Sequence, residues 1–220
     1  MNTIYFDIGG TYIRAEVVKN GRVLFYKKIS TPKKLTSFVK QLRQLVAGLL
    51  SQYQCRKIDF GVAGVVKGLV VKYCPNIKYL CNFDFKKVVP PQVKVGVDND
   101  ARAWLSRALE MNSRLRKGVV LGLTVGTGIG RTVARNGKVL PIKKFEYPEK
   151  WEQEYQQRRF ESSKKLAPWL IKNLQPIISK YKPKSIVWSG GVIEKKLGFY
   201  QELVKSLGNV NSKIRVVKGF

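Results

Sequence analysis

The sequence predicts an α/β protein that contains two copies of one β-β-β-α-β unit. Gly10–Leu24 aligns without a gap with Gly126–Leu140, and eight of the fifteen paired positions are identical. Each copy has an Asn-Gly pair, a strong hairpin signal, ten residues after the glycine of a Gly-Thr turn. A helical pattern and then a strand pattern follow each copy. A duplicated fold explains these observations, and two unrelated hairpins with similar turns are the alternative.

The first copy passes from short strands into an amphipathic helix. Alternating apolar residues predict three strands, and Asn20-Gly21 predicts the hairpin between the second and the third. Apolar residues at helical spacing predict the helix, and Pro32 suits its first turn. The predicted elements are strands Thr3–Asp7, Tyr12–Val18 and Arg22–Ile29, helix Pro32–Tyr53, strands Ile58–Val62 and Val93–Val97, and helix Ala101–Met111.

The second copy repeats this order of elements. We expect a kink or break in its helical stretch near Pro168 and Pro176. The predicted boundary near residues 112–117 gives an N-terminal lobe, 1–112, and a C-terminal lobe, 113–220, with a ligand cleft between them. The predicted elements are strands Val119–Thr124, Arg131–Arg135 and Lys138–Ile142, helical stretch Trp151–Tyr181, strand Ser185–Ser189, helix Phe199–Leu207 and strand Lys213–Val217.

The composition excludes several kinds of site. The 220 residues include no histidine, which excludes Ser-His-Asp triads, Cys-His dyads and His-ligated metals. The three cysteines form no CxxC motif, and their odd number does not suggest a disulfide framework, so we expect a reduced, cytoplasmic setting. Neither a signal-peptide pattern nor an apolar run of about 20 residues occurs, so we expect no membrane association.

The net charge has two interpretations. With 42 basic and 14 acidic residues, the formal charge is +28. A polyanionic partner such as nucleic acid would explain it, and so would a general basic bias spread over solvated surfaces. The basic residues are dispersed in short pairs, so the charge permits nucleic acid binding without requiring it. A homodimer also stays open.

Glycine turns after strands carry the strongest functional signals. Glycines let backbone N–H groups approach an anion closely, and a preceding carboxylate can hold Mg²⁺ through water. An ordinary turn capped by Asp7, or a flexible loop in the second copy, is the alternative interpretation. The first turn contains Asp7, Gly9, Gly10 and Thr11; the second contains Gly126, Thr127 and Gly128; a third, before a predicted helix, contains Gly190 and Gly191.

Asp98-Asn99-Asp100 ends a predicted strand and opens a predicted helix. Asp and Asn routinely cap helices, but three such residues in a row exceed what one cap requires. A carboxylate in this position can accept the proton of a substrate hydroxyl. The sequence therefore predicts a catalytic role for at least one of the three.

Together these motifs resemble the actin-like ATPase superfamily, and within it the ROK family of glucokinases and N-acetylhexosamine kinases. Asp7–Ala15 resembles the first phosphate motif of that family, and Gly126–Gly130 the second. Gly61–Val66 with Pro75-Asn76 resembles its "GxPGxV…PN" stretch, with Ala63 in place of the usual proline. Asp98–Ala103 is similar to its "ENDANA" motif. Ser189–Val192 is similar to its "GGGV" adenosine motif.

The resemblance implies a duplicated ribonuclease H-like (actin-like ATPase) fold and an ATP-dependent sugar kinase. Asp100 would be the general base, and the acceptor would be a sugar hydroxyl. Mg²⁺ would be held at Asp7, through water. The implied sugar-binding residues are Asn99, Gly64, Asn76 and Glu146. The implied ATP-binding residues are Asp7, Gly9, Gly10, Thr11, Arg14, Gly126, Thr127, Gly128, Gly190 and Gly191.

The chain also departs from the family pattern. It lacks histidine, and no cysteine follows Cys81, so the zinc loop and the sugar-binding histidine of the family are absent. Glu146 is the best candidate for the family's sugar-binding glutamate and Glu149 the next. The alternative is that both belong to a solvated acidic cluster with Glu152, Glu154 and Glu161. The chain is also shorter than is usual for the family, and its terminal helix after Val217 is expected to be missing.

Two functions from different classes follow. The first is ATP-dependent phosphorylation of a sugar, with Asp100 as the base. The second is a non-catalytic or weakly hydrolytic nucleotide-binding module derived from a kinase, with an anionic polymer as an additional partner. The intact Asn99-Asp100 pair favours the first, whereas the lost sugar motif and the charge motivate the second. The identity of the acceptor sugar stays open.

Overall fold

The computed structural model describes residues 2–209 and 214–218. The chain divides into two compact units, Met1–Met111 and Asn112–Phe220. Each unit contains one five-stranded sheet with helices packed on it. The functional roles predicted for lobes 1–112 and 113–220 stay predictions.

The sheet of the first unit has the strand order β3-β2-β1-β4-β7. β1 is antiparallel to β2 and parallel to β4, and β4 is parallel to β7. The short hairpin β5-β6 was not predicted from the sequence. The elements are β1 Asn2–Ile8, β2 Tyr12–Lys19, β3 Arg22–Ser30, α1 Leu35–Tyr53, β4 Lys57–Val62, β5 Val65–Lys67, β6 Val70–Tyr73, β7 Lys94–Asn99 and α2 Asp100–Met111.

Alternation along β1 decides which residues reach the core of the first unit. Ile4, Phe6 and Ile8 are buried on one face, where α1 packs with the residues of its apolar stripe. Tyr5 and Asp7 therefore lie on the opposite face. This alternation turns the side chain of Asp7 away from the core formed with α1.

The second unit repeats the arrangement, with the strand order β10-β9-β8-β11-β12. Its order of pairing matches that of the first unit, so the predicted duplication is confirmed. Among the described residues, no helix is both long and apolar enough to cross a membrane. The elements are β8 Val119–Val125, β9 Ile129–Arg135, β10 Lys138–Val139, α3 Trp151–Arg158, α4 Ser163–Tyr181, β11 Ser185–Ser189, α5 Gly191–Lys195, α6 Phe199–Gly208 and β12 Arg215–Lys218.

The glycine turns of the two units differ in length by one residue. Strand pairing closes the first turn at Ile8–Ile13 and the second at Val125–Ile129. Ile13 and Ile129, after the turns, are 116 positions apart in the sequence, as in the gapless alignment. Ile8 and Val125, before the turns, are 117 positions apart. The structural counterpart of Gly126 is consequently Gly9, because each directly follows the first strand. The gapless pairing of Gly10 with Gly126 is wrong at this turn.

Three details of the second unit differ from the sequence predictions. Pro168 and Pro176 lie inside the continuous helix α4, and the break falls earlier, at residues 159–162. Each proline removes one helical hydrogen bond, but α4 buries seven residues of its apolar face, which holds it together. β10 ends at Val139 rather than at 142. The predicted start of the last strand, Lys213, lies outside the described residues.

Candidate active site

Asp7 and Arg14 form an ion pair beside the first glycine turn. The two residues face each other across the antiparallel strands β1 and β2. Arg14 Nη1 donates a hydrogen bond to Asp7 Oδ2 at 2.6 Å, and both side chains are about half exposed. The Asp7 carboxylate is thus accessible at the end of β1, where an oxygen ligand for Mg²⁺ was predicted.

Asn76 packs directly against the first turn. A Cβ added at Gly10 would lie 3.1 Å from Asn76 Cβ and 3.2 Å from its carbonyl oxygen. Only glycine allows this approach without displacing its neighbour. The structure therefore brings Asn76, a predicted sugar ligand, into contact with the first glycine turn.

Gly64 links this region to the start of α2. A Cβ added at Gly64 would clash with the carbonyl oxygen of Tyr73, so the close packing of the β5-β6 hairpin requires glycine here. The Gly64 carbonyl accepts a hydrogen bond from Asn99 Nδ2 at 3.1 Å. Asn99 and Gly64, both predicted sugar ligands, are therefore in direct contact.

The polar residues at the β7–α2 junction have different hydrogen-bond partners. Asn99 Oδ1 accepts the N–H of Ala101 at 3.0 Å, which caps α2. Asp98 Oδ1 accepts the N–H of Asn99 at 2.8 Å, and Asp98 also pairs with Arg102. Local contacts thus explain the presence of Asp98 and one of the roles of Asn99.

Asp100 is the first residue of α2 and is partly buried. Burial raises the pKa of its carboxyl, and the nearby negative charge of Asp7 raises it further. A hydrogen bond from the Ala101 N–H to Oδ1, at 2.9 Å, opposes this shift. A raised pKa makes the carboxylate a stronger base, which suits proton abstraction from a hydroxyl.

Gly61 explains how Asp100 comes so close to the sheet. A Cβ added at Gly61 would lie 3.3 Å from Asp100 Cα and 3.0 Å from Ala103 Cβ. The missing side chain lets the first turn of α2 rest on β4, whose neighbour β1 carries Asp7. The predicted residues of the first unit are therefore brought together around the ends of β1, β4 and β7.

Packing does not explain two glycines of the second turn. A Cβ added at Gly126 or at Gly128 would meet no atom of the described chain within 4 Å. Neither residue is among the described glycines with positive φ. The protein's own structure thus gives no reason for glycine at these positions. Close approach of another molecule would give one.

Gly190 lies against the strand end from which the second turn starts. Its φ is 108°, and an added Cβ would lie 2.5 Å from the carbonyl oxygen of Val125. Glycine is therefore required here both by conformation and by space. The structure brings Gly190 and Gly191 next to the turn that begins at Gly126.

Glu146 lies in a single helical turn, Lys144–Glu146. Its Oε1 accepts the N–H of Lys143 at 2.8 Å, which stabilises that turn. This contact does not place it beside the glycine turn, and its sugar-binding role stays a prediction. Glu149 and Glu152, from the predicted acidic cluster, instead form ion pairs with Arg131.

Arg131 is a buried residue that the sequence patterns did not single out. Its side chain is 0% exposed, and it donates to Glu152 Oε1 at 2.5 Å and to the Tyr147 carbonyl at 2.8 Å. Its guanidinium also lies over the Trp151 ring, 5.0 Å from the centroid. A usable signal was present, because Arg131 alternates with the buried residues Ile129 and Val133 along β9.

Comparison with known proteins identifies relatives for more than half of the chain. The sequence profile of the ROK family matches residues 3–141. An N-acetylmannosamine kinase of Haemophilus influenzae is 28% identical over 142 residues, which cover 62% of this chain and 47% of the relative. An N-acetyl-D-glucosamine kinase of Shigella flexneri is 29% identical over 147 residues, which cover 64% and 48%. The chain thus spans about half the length of the curated relatives it matches.

A solved structure shares the fold over the whole chain. A ROK family glucokinase from Streptomyces griseus, in complex with glucose and AMPPNP, superposes with a TM-score of 0.81 at 22% identity. The match covers 100% of this chain and 94% of the glucokinase. The predicted duplicated, actin-like ATPase fold is therefore confirmed.

Proposed function

The chain belongs to the ROK family, and from this premise we propose that it transfers the terminal phosphoryl group of ATP to a sugar hydroxyl. The observation that carries the proposal is Asp100, a partly buried carboxylate with a raised pKa, at the start of α2 and near Asp7. A base with these properties suits the removal of a hydroxyl proton.

The proposed reaction assigns a role to each group of predicted site residues. Asp100 accepts the proton of the acceptor hydroxyl as its oxygen bonds to phosphorus, and the bond between phosphorus and the leaving ADP oxygen breaks. Asn99, Gly64, Asn76 and Glu146 contact the sugar. The N–H groups of the glycine turns and Arg14 stabilise the phosphates. Gly190 and Gly191 contact the adenosine.

The residues present fit a magnesium ion at Asp7. The carboxylate is accessible, and Mg²⁺ prefers carboxylate and water oxygens. When bound, the ion would neutralise charge on the donor phosphates. Arg14 donates a hydrogen bond to the same carboxylate and brings a positive charge to it, so it holds the Asp7 side chain in place.

The proposed acceptor is a hexose or an N-acetylhexosamine. The two curated relatives described above are named for N-acetylated sugars, and the solved relative was crystallised with glucose. These names supply a short list of acceptors to test.

An acceptor-dependent ADP-release assay tests the proposal. Hexoses, N-acetylhexosamines and pentoses are compared, and Asp100→Asn is expected to abolish release while nucleotide binding persists. Asp98→Asn is the matched control, because it removes a neighbouring carboxylate that pairs with Arg102, and it should retain turnover. Wild-type turnover by Asp100→Asn would contradict the mechanism. Nucleotide binding without release on any acceptor would instead favour a non-catalytic module.

A further inference from the structure

Two side chains of α3 hold the carbonyl groups of the second glycine turn. The Tyr155 hydroxyl donates to the Gly126 carbonyl at 2.7 Å, and Gln156 Nε2 donates to the Thr127 carbonyl at 2.8 Å. Tyr155 is fully buried, and burial raises the pKa of its hydroxyl to about 12. Tyr155 therefore remains a hydrogen-bond donor at neutral pH.

These bonds fix the direction of two N–H groups. In a planar trans peptide the C=O and the following N–H point to opposite sides. Holding the carbonyls of Gly126 and Thr127 toward α3 thus turns the N–H groups of Thr127 and Gly128 away from it. In the part of the chain that the structure describes, neither N–H donates a hydrogen bond, whereas the Gly126 N–H bonds to the Gly128 carbonyl at 2.9 Å.

The first glycine turn is held in a similar way by Thr31, which directly follows β3. The Thr31 hydroxyl donates to the Gly9 carbonyl at 2.7 Å, and the Thr31 N–H donates to the Thr11 carbonyl at 3.0 Å. Gly9 is the structural counterpart of Gly126. In both units, therefore, a hydroxyl from outside the turn binds the carbonyl of its first glycine, and the next N–H, of Gly10 or Thr127, is directed away.

We propose that Thr31 and Tyr155 are equivalent positioning residues, each of which orients an N–H group of the glycine turn in its own unit for binding a nucleotide phosphate. This inference rests on the proposed function. Donors that are already oriented stabilise an anion without the cost of reorganising at the moment of binding. Without the hydroxyl, the peptide group gains freedom to turn, and its N–H is no longer held toward the anion.

Binding of Mg-ATP tests this inference with variants that remove one hydroxyl each. Thr31→Val and Tyr155→Phe should each raise the calorimetric Kd and the KM for ATP by about threefold to tenfold, the effect of one lost hydrogen bond. The KM for the sugar should stay unchanged. Thr31→Ser, which restores a hydroxyl, should recover wild-type ATP affinity.

A matched control removes a hydroxyl bond elsewhere in the fold. Ser163 Oγ donates to the Leu197 carbonyl at 2.8 Å, and Ser163→Ala should leave ATP binding unchanged. If Thr31→Val and Tyr155→Phe lower only the unfolding temperature and bind ATP like the wild type, the inference is overturned and the proposed function stands. If the wild type binds no Mg-ATP, both are overturned.

Discussion

Asp98, Asn99 and Asp100 lie side by side but differ in how they affect the stability of the fold. Asn99 caps α2, and Asp98 pairs with Arg102, so both contribute to the stability of the junction. Asp100 follows them within the same helix start, yet burial raises the pKa of its carboxyl, which is a cost to the folded state when that carboxyl is ionised. A residue kept at such a cost is typical of a functional site.

The stability of Asp100→Asn should depend on pH in a defined direction. The folded-state pKa of Asp100 is raised, so ionisation of this carboxyl destabilises the folded protein above its folded-state pKa. This cost disappears as the pH falls below the unfolded-state pKa of about 3.9. Asp100→Asn should therefore unfold at a higher temperature than the wild type at pH 7, with a difference that shrinks toward pH 4.

Thermal unfolding followed by circular dichroism at pH 7, 5.5 and 4 measures this difference. Asp98→Asn is the control, because it removes an ion pair with Arg102 and should not stabilise the protein at any of these pH values. Equal unfolding temperatures for Asp100→Asn and the wild type at pH 7 would contradict the raised pKa.

At the scale of elements, local patterns predicted most of the strands but not the details of the turns. Apolar alternation and the Asn-Gly pairs depend on neighbouring residues, and both Asn20 and Asn136 adopt the expected positive φ of 50°. The one-residue difference between the glycine turns depends on strand pairing, which a gapless alignment cannot detect. The continuity of α4 through Pro168 likewise depends on tertiary packing rather than on propensity.

The site was predictable to the extent that it consists of turn residues and carboxylates at strand ends. Asp7 and Asp100 could be selected because each follows a strand pattern, and the structure places them near each other. Tyr155 and Thr31 could not be selected, since their bonds to the turns join residues 29 and 22 positions apart. Sequence periodicity contains no information about such contacts.

The ion pair between Arg131 and Glu152 joins α3 to β9, and its loss should destabilise the second unit. Glu152→Gln leaves the buried guanidinium without its closest carboxylate, which should cost about 3 kcal/mol of unfolding free energy. Glu154→Gln is the matched control on the same helix, because Glu154 forms an exposed pair with Arg158 and should change stability little. Chemical denaturation measures both, and equal effects would contradict the structural role of Arg131.

At the scale of the whole molecule, most of the few carboxylates already pair with basic side chains of the same chain. Of 14 carboxylates, at least nine form ion pairs with basic side chains, among them Asp7, Asp98 and Glu152. Most of the 42 basic residues therefore have no carboxylate to pair with, because the chain contains only a third as many acidic groups. The resulting self-repulsion opposes the compact state.

Salt should therefore stabilise this protein. Screening at 0.3 M ionic strength shortens the range of repulsion well below that at 0.02 M, while buried pairs such as Arg131–Glu152 are screened much less. The unfolding temperature should rise by several degrees between about 0.02 M and 0.3 M NaCl, since the repulsion from a net charge of +28 weakens. Sodium phosphate at matched ionic strength separates screening from effects that are specific to the anion. Equal rises in unfolding temperature in the two salts indicate screening, whereas a larger rise in phosphate indicates an effect of that anion beyond screening. No rise in NaCl would contradict our premise that charge repulsion dominates.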